Sequence, residues 1–152
     1  MRRIHQTDFS AARGNALQAC FASIFDLGLA DVPNFLEAAE QAGVNYLEIV
    51  DDWLAERGLV FLKIGLPKAA EQGRVAGSLE FPAGPAVCVL AGPSPRGDFK
   101  HAVVGRVQPG SDKDDPTAIG TDFTILHDPH PDDTGLAGPP VWVGFFALRE
   151  TK

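Results

Sequence analysis

The chain has 152 residues, 45% of them hydrophobic and 22% charged, which suits one globular domain over 1–152 with a sizeable core. A net charge of -7 argues against a sequence-independent grip on nucleic-acid phosphates, and no apolar run approaches transmembrane length, so neither nucleic acid nor membrane is an expected partner. Two cysteines, Cys20 and Cys88, are too few for a disulfide framework; both lie in apolar runs and read as buried free thiols of a reducing, cytoplasmic compartment.

Met1-Arg2-Arg3 is basic, but no apolar stretch of signal-peptide length follows it. Ile4-His5-Gln6-Thr7 reads as a short extended segment leading into a polar loop that ends at Gly14. Asn15 suits a helix N-cap, where its side-chain oxygen accepts from a first-turn N–H, and Gln18 stands at the capping-box position three residues on. Leu17, Cys20, Phe21, Ile24 and Phe25 recur at helical spacing, and Gly28 with Asp31-Val32-Pro33 stops the helix. Residue 16 is then the first helical residue, where orphan N–H groups meet the positive end of the helix dipole. A thiol there would be held as a thiolate, the form that attacks carbonyls, but the residue present is alanine.

A second helix is expected over about 34–42, ended by Gly43. A third, capped by Asn45, has Leu47, Ile49, Val50, Trp53 and Leu54 on its apolar side and stops at Gly58, with Trp53 in the core. Strands follow at 59–64, 85–90, 101–107, 123–127 and 141–148. Between them, 66–84 reads as a connection with one helical turn near 68–72, 91–100 as a loop, and 108–120 as an exposed acidic turn. Helices first and strands afterwards is an α+β order, with an antiparallel sheet packed on the leading helix.

Cysteine hydrolases need a thiol at an electropositive helix start, a histidine to take and return its proton, and a third group to fix that histidine's tautomer. His101 opens a strand after a Pro/Gly loop and can face a cleft at the strand end, with Cys88 and Val104 expected in the core behind it. Asp128, at the end of the next strand, can accept from the His101 ring. Gln6 can donate its amide to a developing oxyanion. Each feature alone is ordinary, Asp-Pro being a common turn pair, so the combination carries the functional reading. Two other readings stay open: His127, Asp128, His130, Asp132 and Asp133 as a metal site, and Cys20, one turn below Ala16, as the nucleophile.

Gln6, then Gly14-Asn15-Ala16-Leu17-Gln18-Ala19-Cys20-Phe21-Ala22-Ser23, then Asp31-Val32-Pro33-Asn34-Phe35 resembles the N-terminal signature of small bacterial and phage papain-like cysteine peptidase-type proteins. That signature usually reads Gln, a short loop, Gly-Asp/Asn-Cys, two residues, Ala-Cys, then Val-Pro-x-Phe. His101-Ala102-Val103-Val104-Gly105 and His127-Asp128-Pro129-His130-Pro131 are similar to later parts of the pattern, and the matches extend to Pro140-Val141-Trp142-Val143. The resemblance implies a papain-like fold and a cysteine hydrolase that acts on an amide bond of a peptide or protein substrate, with no cofactor and no metal. Its nucleophile position falls on Ala16 and its second cysteine on Cys20; His101, Asp128 and Gln6 take the other catalytic positions, and Asn15, Leu17 and Lys100 beside them are the expected substrate contacts. Alanine at position 16 is expected to be an engineered replacement of the cysteine. The alternatives are a natural pseudoenzyme that binds a peptide or partner in the same cleft, and acyl transfer or deamidation on the same residues. Loops 91–100 and 108–120 are expected to frame that cleft.

Overall fold

Local sequence signals set most helix boundaries. The structure, a computed structural model, describes residues 1–66, 85–109 and 121–150. The helical turn expected at 68–72, and the acidic stretch beyond residue 109, lie outside the described residues. The first part of the chain folds as α1 (Ala16–Ile24), a 3-10 turn (Leu29–Asp31), α2 (Phe35–Ala42) and α3 (Tyr46–Ala55). Asn34 caps α2 by accepting from the Glu37 N–H, and Gly43 ends it at φ 68°, a left-handed conformation that glycine adopts without steric cost. Asn45 caps α3 by accepting from the Leu47 N–H at 2.9 Å, and Glu48 reciprocates on the Asn45 N–H at 3.2 Å.

The strands are β1 (Leu59–Gly65), β2 (Ala86–Pro93), β3 (Lys100–Pro109), β4 (Thr121–His127) and β5 (Trp142–Leu148). They form one antiparallel sheet in the order β1-β5-β2-β3-β4, so the last strand inserts between the first two and the class is α+β. β2 and β3 run further than their apolar pattern suggests. Gly92 still pairs with His101 and Pro93 with Lys100, which narrows the expected 91–100 loop to 94–99. Ladder pairing is a backbone property, and proline is tolerated at a strand end.

The helices cover one face of the sheet, with α1 against β3 and α3 against β1. Phe21 of α1 is fully buried between them. Its ring meets Phe35 edge-on at 4.9 Å and Phe146 at 5.0 Å, with Phe61 and Trp53 close by. Trp53 belongs to this core cluster, and the Arg57 guanidinium sits 3.7 Å from its ring centre. Gly144 answers the same crowding, because a Cβ there would run into the Phe61 ring. The other face of the sheet carries a second cluster of Cys88, Leu90, Val103, Val107 and Val143. Strand pleating separates the two residues expected together behind His101: Cys88 pairs with Gly105 and Val104 with Val89, so Cys88 and Val104 face opposite sides of the sheet. Among the described residues no single helix is long and apolar enough to cross a membrane.

Phe21 joins α1 to both neighbouring helices and the sheet, so Phe21→Ala is expected to cost about 3–5 kcal/mol in urea unfolding. A loss no larger than that of a surface substitution would contradict this view of the core.

Candidate active site

Antiparallel pairing brings the start of β3, the start of β5 and the end of β2 to one end of the sheet, through Ala91 opposite both Ala102 and Trp142. The start of α1 lies over that end. Ala16 and Leu17 from the helix, Lys100 and His101 from β3, and Trp142 from β5 line one cleft of about 350 Å³.

His101 is buried, and its Nε2–H donates to Asp128 Oδ1 at 2.6 Å. With Nε2 so committed, a neutral ring carries its lone pair on Nδ1. Asp128 follows the last residue of β4. The pairing of β3 with β4 has an irregularity between Val104 and Gly105, the kind of local kink that re-aims side chains at a strand end. The Asp128 carboxylate is 1% exposed and fully engaged. Oδ1 also accepts from the His130 N–H at 2.8 Å, and Oδ2 accepts from the Gly135 N–H at 2.7 Å. Burial pushes this carboxyl up, but the hydrogen bonds from His101 and from the two backbone N–H groups outweigh it and hold the group below the ordinary carboxylate value. Arg96 stands at the outer side, bonded to Asp132 Oδ1 at 2.8 Å and Thr134 Oγ1 at 2.7 Å, with Nη1 4.0 Å from Asp128 Oδ2.

Asn15 occupies the N-cap position of α1 but makes no side-chain cap. Its Oδ1 instead accepts from the Thr7 and Asp8 N–H groups at 2.9 and 2.8 Å, and its Nδ2 donates to Thr7 Oγ1 and Gln18 Oε1. The incoming segment presents two donors to this oxygen, and the side chain turns that way. All its hydrogen-bonding capacity is committed, which corrects the expectation of Asn15 as cap and as substrate contact. Gln18, expected in a capping box, donates to the Leu29 and Val32 carbonyls at 2.8 and 2.6 Å. The first turn of α1 thus keeps its electropositive end beside Ala16.

Gln6 is buried but does not line the cleft; its Nε2 donates to the Asp8 carbonyl at 2.8 Å, and its Oε1 has no partner among the described residues. Leu17 and Lys100 do line the cleft. Burial, aided by the charge of Asp128 and by Cys88, pushes the Cys20 thiol up, and burial pushes Cys88 up to about 12, so neither is an activated thiol. The residues of the metal reading diverge: His127 Nε2 donates to the Ile4 carbonyl at 2.8 Å while Asp128 serves His101, and among the described residues no three ligating side chains converge. Phe99, from the 91–100 segment expected to frame the cleft, lines it; Tyr46, Lys63 and Trp142 also line it and were not foreseen, because their convergence depends on β5 lying beside β1. Asp133-Thr134-Gly135 reads as a turn, the only sequence signal for the backbone donor at Gly135.

No family model, no curated protein and no solved structure matches the chain.

A carboxyl whose folded-state pKa is lowered adds stability that is present above its unfolded value, about 3.9, and is lost as pH falls through the folded value. Removing Asp128 also strands the donors of His101, His130 and Gly135. Asp128→Ala is therefore expected to cost about 3–5 kcal/mol at neutral pH and to flatten the loss of stability below pH ~4. Urea melts of both proteins across that range check this, and equal acid slopes would contradict it.

Proposed function

We propose that this chain is the framework of a papain-like cysteine hydrolase whose nucleophile position is occupied by Ala16. The observation that carries the reading is the buried His101–Asp128 pair opening onto the same cleft as the uncapped start of α1. The class of the fold supports it, with a leading helix laid on an antiparallel sheet.

In the Ala16→Cys protein, His101 Nδ1 takes the thiol proton while Asp128 holds Nε2–H and steadies the imidazolium. The thiolate sulfur forms a bond to an amide carbonyl carbon, and first-turn N–H groups of α1 stabilise the oxyanion. The C–N bond then breaks as His101 returns the proton to the leaving amine. Water, with His101 again as base, cleaves the thioester and releases the acid. Gln6 joins the oxyanion donors only if its amide turns from the Asp8 carbonyl. A peptide or protein segment is the substrate class that the resemblance implies, since the clefts of papain-like folds accept extended chains. With Ala16 in place the protein binds without turnover, the behaviour that a natural peptide-binding pseudoenzyme would also have.

Intact-mass kinetics with iodoacetamide at neutral pH test the reading. The Ala16→Cys protein is expected to gain one fast adduct that the parent lacks, at least about tenfold faster than a free thiol of ordinary pKa, and His101→Ala is expected to slow it. Cys20 and Cys88 are buried internal controls. An adduct rate equal to that of an ordinary thiol, or one indifferent to His101, would refute the proposal.

A further inference from the structure

The cleft is positively charged in a negatively charged protein. Lys63 and Lys100 line it together with His101, and none of its described lining residues is acidic, although the whole chain carries -7. Most of the surface therefore repels an anion, and this cleft does not. Among the described residues the two lysines are also unspent as charges. Arg2, Arg13, Arg57, Arg96 and Arg149 each stand within ion-pair distance of a carboxylate, whereas Lys63 and Lys100 meet none among the described residues.

Lys63 is held in position by neutral groups. Its Nζ donates to the Tyr46 hydroxyl at 2.7 Å and lies 5.2 Å from the centre of the Tyr46 ring and 5.0 Å from that of Trp142. An ammonium has three donors, and the hydroxyl takes one. The aromatic faces attract the cation without neutralising it. A fixed ammonium with donors to spare, set beside two aromatic walls, is a receptor for a carboxylate next to an apolar group.

We infer that the cleft selects ligands bearing a carboxylate, which Lys63 receives while a neighbouring apolar group packs on Trp142 and Lys100 adds positive potential beside His101. The inference rests on reading this as the substrate cleft, and it makes a peptide with a carboxylate at the recognised position the substrate class. The carboxylate has two sources, a Glu or Asp side chain or a peptide carboxyl terminus.

The parent chain with Ala16 is the right material, because the experiment reads binding and no thiol enters it. Two probe pairs separate the sources: N-acetyl-Phe-Glu-amide against N-acetyl-Phe-Gln-amide, and N-acetyl-Phe-Ala with a free carboxyl terminus against its amide. Each is titrated into 15N-labelled protein while the amide signals of Ala16, Leu17, Lys63 and Lys100 and the Trp142 indole are followed. At low salt one acid is expected to bind about tenfold or more tightly than its amide, and about 0.5 M salt is expected to erode the difference. Lys63→Gln is expected to bring the ratio near one, Lys63→Arg to keep it, and Lys100→Gln to lower it in part. Lys63 is exposed, so these variants are expected to melt with the parent. Equal binding of acid and amide, shifts confined outside the cleft, no binding by any probe, or a ratio indifferent to Lys63→Gln would each overturn the inference. Fast alkylation of Ala16→Cys without acid preference would leave the catalytic reading standing and remove this one; acid preference without fast alkylation would do the reverse.

Discussion

The carboxylate of Asp128 lies at the centre of a tie among parts of the chain far apart in sequence. Its own bonds join β3, through His101, to the turn that ends at Gly135. Its neighbours extend the tie to the N-terminal segment: His127 donates to the Ile4 carbonyl, and the Gln6 N–H donates to the Pro129 carbonyl at 2.9 Å. That segment is fastened in turn to α1, by Asn15 on the Thr7 and Asp8 N–H groups and by Ser23 accepting from the Ile4 N–H at 3.0 Å. A continuous polar chain thus links the histidine on the sheet to the helix start across the cleft. Each link is a buried or part-buried hydrogen bond, the kind that costs most when one partner is lost.

Such a chain fixes geometry, and the cleft chemistry depends on geometry. The start of α1 keeps a field that favours negative charge because Asn15 is drawn away from it. Lys63 and Lys100 add to that field. Asp128, behind His101, sets a negative charge on the far side of the ring. The arrangement suits a site where negative charge develops at one point while a proton moves at another. The alanine at position 16 presents no nucleophilic atom to that field.

Much of this was legible in the sequence where the signal is local. Gly43 and Asn45 mark the helix ends because capping involves residues two to four apart. His101 and Asp128 stood out by residue type, strand ends and the pattern they resemble, and the structure joins them at 2.6 Å. What was not legible is non-local. Nothing in the order of the strands says that β5 slips between β1 and β2, so Lys63, Tyr46 and Trp142 could not be assigned to one wall. Asn15 reads as a cap from its neighbours along the chain, but two donors from a segment eight residues earlier win its oxygen. Cys88 and Val104 were expected together and are parted by the pleat, because a one-residue difference in register reverses the face.

The claim at the centre is that Asp128 fixes His101 with Nε2 protonated and Nδ1 free for the cleft. Long-range 1H–15N correlation spectra of the imidazole rings, recorded where the ring is neutral, read that tautomer directly. The account predicts that His101 has a protonated Nε2 and a bare Nδ1, and that Asp128→Asn disturbs this state. A His101 ring protonated at Nδ1, or one exchanging freely between both tautomers in the parent chain, would contradict it.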